Sequence, residues 1–428
     1  MISKRTKLSL VLTLIFITAA CVAQPTAAPE ATTPSLPPTP SLTLQPAPWP
    51  TPQPTSLSTS VPSLALINGV LIDGTGAAPI PDAVLVIQND RIVAVGSRHT
   101  VSIPVGAKII DVQGATILPG FINAHVHGAY NEEKLAAWAK EGVTTVRDLG
   151  AHSWPPSAPL IDRVKKDNRY ARLISGGIFI TPPKGYPIAV FGGIGRTIST
   201  TAEAPAAVTD MLDQGADVIK IGLESGQIFG QQLPMLTSEQ VKTIVETAHQ
   251  RGTLVVAHVT VARDLKRAID EGVDDMAHMI VDPLPDGLIQ RMVEKNLYWE
   301  PTLELWHNVG QGMDQNVGDN LRRYAAAGGK VALGTDFEGY YTPFQLGMPT
   351  KEIAWMNEAG MTPMQIIVAA TQNAAHACNM AKDLGTLEPG KIADVLIVQG
   401  DPLQDLQALT NVQWVIHNGE VIRGPKAD

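Results

Sequence analysis

Residues 63–110 alternate short runs of Val, Ile and Leu with polar turn pairs. Runs at 64–67, 83–87 and 92–95 are set apart by Asn68-Gly69, Asp73-Gly74 and Asn89-Asp90, which predicts antiparallel strands joined by tight turns. A second block of the same kind closes the chain, with runs at 395–398 and 414–416, the turn Asn418-Gly419 and a run at 421–422. Neither block is large enough to hide its own apolar face. The two ends are therefore expected to pair into one small β-sandwich domain, residues 63–118 with 386–428.

Between them, over 119–385, the periodicity changes. Strand-like apolar runs alternate with amphipathic stretches such as 238–251, where Val241, Ile244, Val245 and Ala248 share a face and Gly252 stops the helix. Residues 263–271, ending at Gly272, repeat the design. Strand candidates end near His125, Arg147, Ser175, Lys220, His258, His278, Thr302 and Thr335. Eight such βα units predict an α/β chain with a (β/α)8 TIM-like barrel, whose active site lies at the C-terminal ends of its strands.

Residues able to bind a metal fall at those ends. In His125-Val126-His127 the i, i+2 spacing puts both imidazoles on one strand face, where they can share a cation, although such pairs also arise by chance. Lys220 ends an apolar run. Pointing inward it would lose its charge and become a nucleophilic amine; snorkelling to solvent is the alternative. His258 and His278 end two successive strands, and Asp336 follows the eighth. Asp336 can bind a cation and carry a proton, or it can cap a helix.

This order resembles the binuclear amidohydrolase superfamily over residues 64–422: HxH after the first strand, Lys after the fourth, His after the fifth and sixth, and Asp after the eighth. Gly360-Met361-Thr362-Pro363, Ala370-Thr371-Gln372-Asn373-Ala374-Ala375 and Glu388-Pro389-Gly390-Lys391 match the family's ending. The imidazolonepropionase-like and prolidase-like branch is the most similar. The resemblance implies two divalent metal ions, zinc being favoured: one on His125, His127 and Asp336, the other on His258 and His278, with a carbamate formed from carbon dioxide on Lys220 between them. It further implies that a metal-activated hydroxide cleaves C–N bonds, amide or cyclic amide, in small substrates such as dipeptides or N-acyl amino acids. Asp336 would then be the catalytic proton carrier. The alternatives are hydrolysis of an ester, lactone or phosphotriester on the same site, or an exported binding protein that has lost activity.

Dipeptidases of this branch carry Gly-Gly-His in the loop after the third strand and Tyr two residues past the fifth-strand His. Here those places read Lys184-Gly185-Tyr186 and Thr260, so the substrate side departs from the pattern. His152, Tyr186, Arg196 and Thr260 are the candidates for substrate contact, Arg196 as a partner for a substrate carboxylate.

Composition adds location. A net charge of −9 over 428 residues offers no basic face to nucleic acid, which leaves a small molecule as the expected partner. Residues 1–20 differ from the rest: Lys4, Arg5 and Lys7 precede an apolar run at 8–17 and then Thr18, Ala19 and Ala20, the layout of a secretory signal peptide. Before Cys21 this resembles a bacterial lipoprotein signal, in which the cysteine takes a lipid and anchors the protein to a membrane; cleavage near Ala23 without lipid is the alternative. Residues 21–62, rich in Pro, Thr and Ser, predict a semi-rigid linker. Both outcomes put the enzyme outside the cytoplasm, in the cell envelope or secreted. With Cys21 lipidated, Cys378 has no disulfide partner. Labelled fatty acid should be incorporated by the full chain and not by Cys21→Ser; labelling unchanged by that substitution excludes the anchor.

Overall fold

The computed structural model describes residues 63–309, 312, 314–339 and 343–425; the expected signal peptide, Cys21 and the linker lie outside the described residues. The strands β1 (Ser63–Leu71), β2 (Ile80–Gln88) and β3 (Arg91–Ser97) pair antiparallel. β4 (Lys108–Asp111) and β5 (Thr116–Pro119) each run parallel to β1.

The chain then enters the barrel. β6 (Phe121–Val126), β7 (Val143–Asp148) and β8 (Arg172–Ser175) form one parallel arc. A long loop after β8 carries the short strands β9 (Ile180–Thr181) and β10 (Arg196–Thr197). The second arc, also parallel, continues through β11 (Ile219–Gly222), β12 (Val255–His258), β13 (Asp275–Ala277), β14 (Tyr298–Glu300) and β15 (Lys330–Val331). Backbone hydrogen bonds join the arcs. Asp217 N donates to the Ser175 carbonyl at 2.7 Å on one side; Ala124 N donates to Leu333 O at 2.8 Å and Thr335 N to His125 O at 3.1 Å on the other. The staves β6, β7, β8 and β11 to β14 end within two residues of where the apolar runs predicted, whereas β15 stops at Val331, four residues short of Thr335.

Local chemistry explains the helices between them. Ser238–Gln250 starts at a capping box of Thr237 and Gln240 and buries Val241, Ile244, Val245 and Ala248. Ala262–Asp270 buries Leu265, Ala268 and Ile269. The C-terminal motif residues have a positioning role. Helix Pro363–Val368, capped by Thr362 and Gln365, runs into a π-turn at Ala369–Asn373. There the Ala369 carbonyl accepts from Leu333 N at 2.9 Å, and Asn373 Nδ2 donates to Val331 O at 2.9 Å. Both bonds grip the eighth stave just before Asp336.

The chain returns through β16 (Val395–Val398), which pairs antiparallel with β5 from Val395↔Pro119 to Val398↔Thr116, followed by β17 (Val412–His417) and β18 (Glu420–Arg423). Both ends of the described chain thus share one eight-stranded sheet, ordered β18-β17-β16-β5-β1-β2-β3 with β4 beside β1. Among the described residues, no helix is long and apolar enough to cross a membrane.

Closure beside β6 requires a glycine. A Cβ on Gly334 would stand 2.8 Å from His125 Cβ and 3.2 Å from Glu300 Cβ. Gly334→Ala should therefore cost roughly 1–3 kcal/mol through overpacking, read as a lower urea midpoint; an unchanged midpoint contradicts this close approach.

Candidate metal centre

β6 delivers His125 and, one residue past its end, His127. The Asp336 carboxylate meets both: His125 Nε2 lies 3.1 Å and His127 Nε2 3.0 Å from the same oxygen, Oδ1. His127 Nδ1 donates to the Gly150 carbonyl at 3.2 Å, which leaves Nε2 as an acceptor facing that carboxylate oxygen. Two acceptors at this separation call for a cation between them, either a proton or a metal. His125, His278 and Asp336 each offer a ligand atom within 4.8 Å of the others. The His258 ring centroid lies 4.5 Å from that of His278. Both ring nitrogens of His258 and the Lys220 Nζ are buried without a hydrogen-bond partner. A neutral-imidazole, carboxylate and amine set with buried unpaired atoms fits a divalent metal site.

The electrostatics prepare these side chains for that role. Burial pushes His125, His258 and His278 below the ordinary imidazole range, so all three are neutral imidazoles at neutral pH. Burial also opposes the charged form of His127, but the hydrogen bond and charge of Asp336 outweigh it and raise that pKa. Asp336 is held well below the usual carboxylate range: burial works against its charge, and His125 and His278 more than offset it. Burial pushes Lys220 down to about 7 against the attraction of Asp336, so a large share of it is free amine at neutral pH. His278 (φ 78), Thr302 (φ 47), Asp336 (φ 60) and Glu338 (φ 57) all hold left-handed backbone. Each costs on the order of 1–3 kcal/mol and persists only because its surroundings fix it.

A second set of residues holds the first, and sequence reasoning passed over most of it. Glu300, ending β14, lies 2.9 Å from His125 Nδ1. Its carboxylate is also paired with Arg147, whose guanidinium reaches Asp275 Oδ2 at 2.6 Å, and all three side chains are fully buried. Thr302 Oγ1 lies 3.0 Å from His278 Nδ1, and Trp299 Nε1 donates to the His278 carbonyl at 2.6 Å. Glu224, just past β11, sits 3.6 Å from His258 Nε2. The available signal was a charged residue at the end of a stave: Arg147-Asp148 closing β7, Asp275 opening β13 and Glu300 closing β14.

A cavity of about 260 Å³ opens onto His127, His258, His278 and Asp336, and His152 and Tyr186 also line it. Tyr186 stacks on His258, with centroids 3.8 Å apart and planes 20° from parallel. The other two candidates for substrate contact do not line this cavity. Arg196 donates to Asp210 at 2.9 Å, an acid on the helix Ala204–Asp213, so its charge is already paired. Thr260 is buried and donates to Glu224, which makes it a support for the carboxylate behind His258.

The match to the amidohydrolase family covers residues 116–422. Ochratoxinase of Aspergillus niger is 25% identical over 425 residues, spanning 83% of this chain and 86% of that protein. Imidazolonepropionase of Geobacillus sp. (strain WCH70) is 22% identical over 399 residues, 78% of this chain and 89% of the relative. The crystal structure of a Xaa-Pro dipeptidase with methionine bound in its active site superposes with a TM-score of 0.73 at 25% identity, covering 85% of this chain and 100% of the other.

The Lys220 shift has a consequence for stability in metal-stripped protein. Folding depresses this pKa from 10.5 to about 7, so between those values the unfolded chain holds the extra proton. Stability then rises with pH across this window and is lost as pH falls through it. Relative to Lys220→Met, the native chain should gain about 1.4 kcal/mol per pH unit between pH 7.5 and 9.5 in urea unfolding. Parallel pH profiles for the two proteins contradict a buried, discharged lysine.

Proposed function

Because the chain belongs to the amidohydrolase family, in its imidazolonepropionase-like and prolidase-like branch, we propose that it is a metal-dependent hydrolase of C–N bonds in small amides. The observation that carries this reading is the convergence of His125 and His127 on one Asp336 oxygen, with His278 beside them. His125, His127, His258, His278, Asp336 and Lys220 would hold two divalent ions, with zinc favoured by the nitrogen and oxygen donors. Bound there, the metal supplies Lewis acidity to the scissile carbonyl and to the attacking water.

The chain's own residues do the rest. Glu300 orients His125, the Gly150 carbonyl fixes His127 and Thr302 positions His278. The uncharged form of the Lys220 amine, a large share of it at neutral pH, adds to the carbon of carbon dioxide and releases a proton, becoming a carbamate. Asp336, buried against His125 and His127, takes the proton released by the attacking water and passes it to the departing nitrogen. Phe179 and Tyr186 line the cavity above the ligands and exclude bulk water from the carbonyl. The basic, apolar and small-residue segments ahead of Cys21 support an exported protein, and the cysteine supports a lipid anchor in the envelope of a bacterium.

Elemental analysis of the purified protein should find close to two equivalents of metal, falling to one or none in Lys220→Ala. Asp336→Asn should lower kcat on amides by about 10²–10⁴-fold. A panel of N-acyl amino acids, dipeptides, lactones and phosphotriesters identifies the bond cleaved. Full metal content and activity in Lys220→Ala would overturn the two-metal reading.

A further inference from the structure

The cavity wall beyond the ligands carries a second message, which rests on reading the site as an amide-hydrolysing centre. That wall is built from Ile178, Phe179, Tyr186, Phe191 and Ile194, with Gly192 and Gly193 leaving room between them. The rings meet edge to face: Phe179 and Tyr186 at 5.7 Å and 74°, Tyr186 and Phe191 at 5.9 Å and 80°. Beyond the Tyr186 phenol, its ionisable groups outside the ligand cluster are Glu338 and His152. Among the described residues no Lys or Arg lines the cavity. The internal residues outside the description are Gly310, Gln311, Met313, Tyr340, Tyr341 and Thr342, and none is basic.

Two basic side chains outside the lining are already paired and bring no free charge to it. Arg196 is paired with Asp210 and Lys134 with Glu338. A free carboxylate held against this wall would shed its hydration against aromatic carbon, and no Lys or Arg of the wall would pair its charge. An uncharged apolar group avoids both costs and gains from burial. The volume of about 260 Å³ sits just below the ~300 Å³ at which ligand pockets usually begin, enough for one small ring or branched chain.

We propose that this site selects small amides whose group beside the scissile bond is uncharged and apolar, aromatic or branched, and that it discriminates against substrates bearing a free α-carboxylate. Dipeptides and N-acyl amino acids are then the poorer members of the amide class. Discrimination lies in the segment 178–194, not in the metal ligands.

The test is a matched pair differing only in the carboxylate: N-acetylphenethylamine and N-acetylphenylalanine, turned over by the metal-loaded full chain. The neutral amide should show at least tenfold higher kcat/KM, carried mainly by KM. Ile194→Arg, at a position 43% exposed on the cavity rim, should shrink or reverse that ratio by supplying the missing cation. Calorimetric binding of the same two compounds separates the two claims. If neither amide is cleaved, C–N hydrolysis fails, yet tighter binding of the neutral compound still supports this selectivity. Equal or better use of the acid, an unchanged ratio in folded Ile194→Arg, or no binding of either compound overturns it.

Discussion

Arg147 is the interaction on which the centre rests. Its guanidinium is fully buried inside the barrel, where an unpaired charge would be prohibitive. It escapes that penalty by donating to the Ala124 carbonyl of β6 at 2.7 Å and to the Ala377 carbonyl, and by pairing with Asp275 and Glu300. One side chain thus joins four staves and the C-terminal helical segment at a single point. Glu300, held by this contact, faces His125 Nδ1, so the charge that plugs the barrel also orients the first candidate metal ligand. The same positive charge helps to keep Lys220 discharged.

Around that plug the molecule tolerates much that would be costly elsewhere. Four residues at the mouth hold left-handed backbone, and imidazole, amine and carboxylate atoms are buried without ordinary partners. Such a site survives because a large apolar core surrounds it, from Phe121 and Trp138 through Trp299 and Tyr324. The grip of the Ala369–Asn373 turn on the eighth stave serves the same end, keeping Asp336 at contact distance from β6. Stability is spent at the strand ends and recovered in the layers beneath them.

The candidate ligands and the cavity wall occupy different parts of the fold. The candidate ligands stand on or next to strand ends, which the barrel holds rigidly. The cavity wall beside them comes largely from the long excursion after β8, which carries Phe179, Tyr186 and Phe191. Tyr186 joins the two by stacking on His258. A hydrolase built this way can change its substrate by altering one loop while its bond-breaking apparatus stays in place.

Much of this was legible in the one-dimensional pattern. The ends of seven staves, the helix 238–250 and the pairing of the first and last strands of the described chain follow from residue type and local period, because strand and helix repeat every two or 3.6 residues. Arg196, by contrast, looked free for a carboxylate until the fold brought Asp210 against it, and Thr260 looked like a substrate residue until it was seen holding Glu224. The pairing of Arg147 with Asp275, 128 residues away, exists only once the barrel closes. Local period tells which residues face inward. Which charges meet there depends on strand order and register around a closed ring, and that is a property of the tertiary structure alone.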